Sequence, residues 1–599
     1  MKLLRLKITE PQGFRSLPCG FEYHFRTEST LQDEQDSFEG IAPFVCAGPN
    51  GSGKSNLLEA LAAIFFQLEV LRVRRSFLPE VLQNDAMDFS PAAFELDYVI
   101  KIPSDYRRPD GPVWAKVGVW KETGASVRFV WENQSDFDTD AYEIFKGDYA
   151  DILLPQYVLG YSSGENEILS LPFFKLRFVQ FDEYWNALSR QLSFPGHPET
   201  RLAYLDDGFS QAILLCNLLF QDQATLQPFI NDVGIESLKE FRIILRRSIA
   251  LQPGQLAAFA NEDQNHRQSL DDIVQNNPAL QVETDENGSN RYRVNLMQLL
   301  EGDERSSLVV SALKRCATLS YEDESTDTLI LDYWVNEATK EAFRENFDYA
   351  THKSPLGLFR AFQVLLTLNL YSVSDPLKAD LYRSTSHYVS ETVPTLASDE
   401  RITRFKFVRF RKQGIAQSMM LKELSDGEHQ LLHSLGLCLL FRNTNSLFLL
   451  DEPETHFNPD WRANFISRLQ QCLPGNAECA QEMLITTHTP FLISDSKPEK
   501  VLVFNKDNAN HMVEVKNPEY NTLGASINKI TMNTFSKRET IGGRAQTMLN
   551  EFRARAENGE DLANLIDEIN RELGDSVEKI LLINTILDKT EKDQVEGRY

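Results

Sequence analysis

The octapeptide Gly48-Pro49-Asn50-Gly51-Ser52-Gly53-Lys54-Ser55 constrains this chain more than any other stretch. It fits the phosphate-cradling loop pattern G-x-x-x-x-G-K-[ST] at every fixed position. Such a loop works between a buried strand and a helix N-terminus. Glycines let the backbone turn tightly so that its N–H groups ring a phosphate, and the helix end adds positive potential. Both flanks are present: residues 42–47 (APFVCA) read as a short buried strand, and Asn56 to Phe66 as an apolar helix. A glycine-rich turn that meets the pattern by chance lacks that strand and helix. The candidate anion-binding residues are Asn50, Gly51, Ser52, Gly53, Lys54, Ser55 and Asn56, with Lys54 placed for the β- and γ-phosphates of a nucleotide and Ser55 for a magnesium ion.

The remaining composition narrows the class. The 599 residues carry a net charge of −26, which disfavours a surface coated for nucleic acid but allows a local basic groove. Acidity of this kind also serves solubility. No apolar run is long enough to span a bilayer, and Met1 to Ile8 alternates like a strand with no cleavage site of a signal peptide. The seven cysteines are scattered, with no C-x-x-C pair, so a reduced, cytoplasmic chain with no membrane is expected.

Along the chain, residues 1–165 read as strands around one helix and residues 166–400 as a mainly helical insertion. Within the insertion, helical spacing covers 171–192, 209–220, 235–249 and 356–371, a strand covers Thr328–Val335, and 261–291 reads as polar loop. Residues 401–535 return to alternating strands and helices, and 536–599 form a helical tail whose last helix Asp575 or Ser576 caps. No heptad pattern is sustained, so no long coiled-coil arm is expected. The fold class is α/β, with a mixed sheet, a helical insertion and a helical C-terminal tail.

Three further motifs extend the chemistry. Leu424-Ser425-Asp426-Gly427-Glu428 opens an apolar helix, offering Ser425 and the Gly427 amide at a second anion-binding helix terminus. Residues 446–450 read as a buried strand that ends in Asp451 and Glu452. Asp451 is placed to hold magnesium and Glu452 to polarise an attacking water. A plain core strand explains the apolar run but not two carboxylates at its C-terminal end, where α/β sheets place ligands. The next strand, 482–487, ends in His488, whose imidazole can donate to a γ-phosphate.

In this order the motifs resemble those of the ABC-type ATPases, and more closely the SMC-like and OLD-like branch. The resemblance covers about 1–165 and 401–535. It implies ATP and Mg2+ as cofactors and ATP hydrolysis as the activity. It also implies a head-to-head homodimer, or higher homo-oligomer, in which the signature of one copy closes over the nucleotide of the other. It assigns the catalytic glutamate to Glu452, the switch histidine to His488 and a D-loop to 455–460. The turn Gly13-Phe14-Arg15-Ser16 matches the family's N-terminal turn, whose basic residue, here Arg15, approaches the nucleotide. A magnesium-side glutamine is expected after the N-terminal sheet; Gln156 is the first candidate and Gln180 the second. Three stretches (41–61, 160–167 and 423–430) are similar to restriction- and retron-associated ATPases, a group that includes the Septu anti-phage ATPase PtuA. That likeness implies a separate HNH nuclease as partner and, for retrons, a reverse transcriptase with its RNA–DNA hybrid. Direct action on DNA, as in SMC-like repair ATPases, is the alternative.

Two other features carry simpler readings. His429 and His433 lie one turn apart but lack a third metal ligand nearby, so packing histidines are expected. Arg404 to Lys412 is basic and aromatic, as single-strand-binding surfaces are, yet fits a plain strand with long basic side chains.

Overall fold

The computed structural model describes residues 1–36, 41–72, 82, 89–138, 152–163, 167–192, 200–260, 269–284, 290–347, 354–385, 393, 396–473, 480–506, 513–535, 541–558 and 560–596. The chain divides into two units, Met1–Tyr520 and Asn521–Tyr599. The α/β class, the mixed sheet and the helical C-terminal region expected from sequence are all present.

Strands apolar on both faces organise the larger unit. β3 (Phe44–Ala47), β7 (Tyr157–Ser162), β17 (Ser446–Asp451) and β18 (Glu482–Thr487) are buried along their whole length, as a parallel sheet covered on both sides requires. They pair in parallel in the order β3-β18-β17-β7, and β8 (Leu202–Tyr204) extends that flank. On the other flank β19 (Val501–Lys506) is parallel to β3 and β20 (Val513–Lys516) returns antiparallel, completing seven strands.

The Lys54–Val70 helix is buried on nearly every side. It lies against this sheet and against a five-stranded antiparallel sheet ordered β2 (Glu22–His24), β1 (Lys2–Ile8), β4 (Phe94–Lys101), β5 (Trp114–Lys121), β6 (Arg128–Trp131). One apolar cluster runs through all three layers and includes Leu6, Phe65, Tyr98 and Leu449. A buried ion pair also ties the two sheets. Arg26 donates to both carboxylate oxygens of Glu482, which accepts the Leu3 amide at 2.8 Å. Burial alone would raise the Glu482 carboxyl, but the charge of Arg26, and then of Lys2, outweighs it and holds the group at about 2.

Strands accompany the helices of 166–400, and two further sheets draw on them. One is ordered β13 (Leu319–Asp323), β14 (Thr328–Trp334), β9 (Ile235–Arg246), β15 (Thr403–Lys412), β16 (Met419–Met420); the other β10 (Ser248–Leu251), β12 (Asn290–Asn295), β11 (Leu280–Thr284). Residues 235–249 are strands, not a helix. The reading failed for a physical reason. The pairing of β9 with β15 is irregular at Lys406/Arg409, Arg409/Phe410 and Arg411/Lys412. These irregularities leave Ile235, Leu238 and Phe241 buried at a three-residue spacing that imitates a helix. The polar stretch 261–291 holds a Leu270–Asn276 helix and β11 between its loops, with 261–268 and 285–289 outside the described residues. Arg404 to Lys412 does lie in a strand, where Arg409 and Arg411 pair with Glu240 and Glu236 of β9.

The smaller unit has its own core. Helices Gly543–Glu557, Leu562–Glu572 and Val577–Glu596 bury Leu549, Phe552, Leu565, Ile569, Leu582 and Ile586 together. Ser576 caps the last helix by accepting the Lys579 amide at 3.1 Å. Among the described residues no single helix is long and apolar enough to cross a membrane.

Candidate nucleotide-binding site

The glycine-rich loop runs from the end of β3 into the Lys54–Val70 helix, as its sequence requires. Gly53 caps that helix with φ of +99°, a backbone that a side chain would strain, and a Cβ there would also meet Ser16 Oγ at 2.7 Å. The Gly13 to Leu17 turn therefore packs on the loop. Ser16 Oγ donates to Asn56 Oδ1 at 2.6 Å. Arg15, itself left-handed at φ of 55°, donates to Glu59 and to the Thr385 carbonyl. Asn56 and Arg15 thus sit beside the loop with protein partners of their own. Asn50 and Gly51 are exposed at the loop's crest. Ser52 is buried and its hydroxyl has no hydrogen-bond partner among the described residues. The Lys54 ammonium curls back onto the loop, donating to the Gly48 and Pro49 carbonyls at 3.1 and 3.0 Å. Burial lowers its pKa, against the pull of Glu452 and Asp451.

Parallel pairing brings the other motifs to the same end of the sheet. Ala47 is level with Thr487, Thr486 with Asp451, and Asp451 with Ser162. Ser55 Oγ donates to Asp451 Oδ1 at 2.7 Å, so residues 396 positions apart meet. Thr486 Oγ1 donates to the same oxygen at 2.6 Å. Asp451 is almost wholly buried, and that burial raises its pKa despite the two hydroxyl donors.

Glu452 follows with φ of +49°, a left-handed backbone that costs a residue with a side chain about 1–2 kcal/mol. The Thr486 carbonyl and hydroxyl, at 3.2 and 3.0 Å from its amide, hold it there. This turns the carboxylate to His488, whose Nε2 lies 3.0 Å from Oε1. That hydrogen bond is the main reason the Glu452 pKa is lowered.

Gln156 needs correction. It precedes β7, at the N-terminal end of the parallel strands, where it exchanges hydrogen bonds with the Asn445 backbone. Tyr157 is level with Ser446 and Ser162 with Asp451. At about 3.3 Å per residue the strand length separates Gln156 from the Asp451 carboxylate by more than 15 Å. Gln180 lies inside the Ser170–Ser189 helix with its amide oxygen buried and unpartnered.

Ser425 caps the Asp426–Leu440 helix in a reciprocal box with Glu428, whose amide its side chain accepts. Gly427 abuts the His456 carbonyl; a Cβ there would lie 2.8 Å from that oxygen. Ser425, Gly427, His456, Asn458 and Trp461 line one shallow depression. The contacts of Ser425 and Gly427 are thus with this turn and with Glu428, not with the loop at Gly48 to Ser55. His429 and His433 face each other with ring centroids 5.7 Å apart, and burial lowers His433 to about 4.

Several residues of the site escaped the sequence reading. Thr486 and Thr487 follow the apolar run Met483–Ile485, and that pair of hydroxyls was the available signal. Thr487 donates to the buried Glu454, which burial pushes up to about 7. Ser163 meets Thr455 at 3.0 Å, and Gln430 accepts the His456 amide at 2.8 Å.

A family model described as "AAA domain, putative AbiEii toxin, Type IV TA system" matches residues 279–494. The match takes in Ser425, Asp451 and His488, leaves out the glycine-rich loop, and spans less than half the chain. No curated protein matches. Similar solved structures include the SMC head domain from Thermotoga maritima, at 11% identity and a TM-score of 0.26, covering 87% of this chain and 100% of that one. They also include the SmcHead bound to the C-winged helix domain of ScpA, at 10% identity and a TM-score of 0.29, covering 86% and 98%. The recombination mediator protein RecF-ATPrS of the RecFOR pathway follows at 13%, with a TM-score of 0.29, covering 86% and 97%. At these scores the likeness adds nothing to what the strands and motifs show. The glycine-rich loop, Asp451-Glu452 and His488 thus gather at one end of a mixed sheet.

Proposed function

We propose that this chain binds ATP with magnesium and hydrolyses it, working as a head-to-head dimer that controls a partner HNH-type nuclease in anti-phage defence. The observation that carries the ATPase reading is the 2.7 Å hydrogen bond between Ser55 and Asp451. It joins the two halves of a nucleotide site from opposite ends of the chain.

The donors fit a magnesium ion. Both are hard oxygens, and metal–oxygen distances near 2.1 Å put neighbouring ligands about 2.9 Å apart. The buried, unpartnered Ser52 hydroxyl lies in the same loop. Magnesium, when bound by Ser55 and Asp451, would neutralise phosphate charge. The loop amides and Lys54 would hold the phosphates. Glu452, ionised and aimed by His488, would take the proton of the attacking water at its carboxylate. Ser425 and the Gly427 amide would complete the site of a second copy.

The defence role and the nuclease partner rest on the likeness of stretches 41–61, 160–167 and 423–430 to Septu-type and retron-type ATPases. One observation favours the second reading, an SMC-like ATPase acting on DNA. The basic strand β15 exposes Phe407 beside Lys406 on a sheet that also exposes Trp334.

Titration calorimetry with Mg–ATP tests the core of the proposal: the wild type should bind and Lys54→Ala should not. Equal affinity in the two would refute it. Co-purification with an HNH partner, set beside DNA binding by the chain alone, separates the two roles.

A further inference from the structure

The helix that begins at the signature turn does more than present Ser425. Gly427 and Gln430, three residues apart and so on one helix face, meet the backbone of His456 at its carbonyl and at its amide. The Gly427 Cα lies so close to the His456 carbonyl that a Cβ would be 2.8 Å from it. The His456 amide donates to Gln430 Oε1 at 2.8 Å. Gln430 is only 3% exposed. Its Nε2 points to the Glu452 carbonyl at 3.5 Å.

The turn between these contacts is short and closed. Thr455 Oγ1 donates to the Glu452 carbonyl at 2.9 Å, and Arg462 donates to the Thr455 carbonyl at 2.7 Å. Residues 452–456 therefore form one braced turn. Its first member is the left-handed glutamate, and its last is clamped by the signature helix.

We propose that Gln430 is a positioning residue that couples the signature turn to the carboxylate of Glu452. A shift of the helix when Ser425 and Gly427 engage a phosphate would move the His456 backbone and, through the braced turn, Glu452. The proposal rests on the ATPase reading and deepens it: the motif that serves a second copy's nucleotide would also set the base for the chain's own. Nothing in the 424–428 motif requires a glutamine at 430, so its geometry is independent of the anion contacts.

The test compares wild type, Gln430→Leu and Gln430→Glu, each as the full chain. Three quantities are measured: ATP affinity, steady-state turnover, and hydrogen exchange of peptides spanning 452–458. Leucine keeps the bulk but removes both polar contacts. Glutamate keeps an oxygen for the His456 amide. Affinity should stay within about twofold, while kcat falls at least about tenfold in Gln430→Leu and by less in Gln430→Glu. Exchange should quicken at 452–458 and not across the sheet. A Gln430→Leu chain with faster local exchange but wild-type kcat would show a purely structural amide and overturn the coupling. If Gln430→Leu does not fold, a Gln430→Glu chain with wild-type turnover and exchange overturns it as well. A wild type that neither binds nor hydrolyses ATP overturns the ATPase reading, and the coupling falls with it.

Discussion

Glu454 gives the sharpest test of the site's electrostatics. Its side chain is wholly buried beneath the end of β17, with Oε1 accepting from Thr487 and Oε2 unpartnered. Burial, and next to it the charge of Glu452, outweigh the Thr487 and backbone donors and the pull of Arg462, raising the group from 4.5 to about 7. Below pH 4.5 both the folded and the unfolded chain hold the proton. As pH rises, the unfolded chain releases it first, so stability is lost up to the folded value. Across that window the loss is about 3 kcal/mol, at about 1.4 kcal/mol per pH unit. Glu454→Gln keeps the acceptor for Thr487 and cannot ionise. The substituted chain should therefore gain about 1 kcal/mol over wild type at pH 5.5 and about 3 kcal/mol at pH 8. With about 2.1 cal/mol/K of unfolding entropy per residue, this corresponds to about 1 °C and about 3 °C in Tm for the larger unit. Differential scanning at the two pH values measures both gaps. A constant gap, or one that shrinks toward pH 8, would refute the reasoning, because it would mean that Glu454 is ionised at no extra cost in the folded chain.

Other residues give equally definite expectations. Glu452→Gln should bind ATP as wild type does but turn over about 10²–10⁴-fold more slowly, by the usual worth of a general base; phosphate release measures this, and an unchanged rate removes Glu452 from the role. Mixing Lys54→Ala with Ser425→Arg chains should restore part of the ATPase activity that each lacks, since one interface would carry both lesions and the other neither; no recovery at any ratio counts against shared sites. Arg26→Met should cost about 3–5 kcal/mol by leaving Glu482 charged and buried without its partner, and a denaturation midpoint equal to wild type would show the pair to be dispensable.

Much of the site was legible because its motifs pair local sequence with local shape. The loop at Gly48 to Ser55 needs only a strand before it and a helix after it, and both are visible in the pattern of apolar residues. The strands at 446–451 and 482–487 show through short apolar runs, Leu447–Leu450 and Met483–Ile485, and their C-terminal residues share one edge of a parallel sheet. Gln156 failed for the complementary reason. Its distance from Asp451 depends on which end of β7 it occupies, and a glutamine beside an apolar run does not record that end. The 235–249 error has the same character: irregular pairing with a partner 160 or more positions away set the spacing of buried residues, and nothing local records that partner.

The residues that escaped altogether share a further property: their roles come from contacts made across the sheet end rather than along the chain. Glu452 adopts a backbone that sequence patterns reserve for glycine and asparagine, so its φ of +49° has no mark in the residue itself. The conformation persists because Thr486 supplies two acceptors to its amide while Gln430 fixes the turn that follows. Strain held by surrounding contacts of this kind is common where a side chain must be aimed. Here it aims a carboxylate at His488, 3.0 Å away. If relaxed backbone geometry had been the only requirement at position 452, a glycine would have satisfied it. The acid at 452 is therefore held at a cost, which the contacts from Thr486 and Gln430 offset.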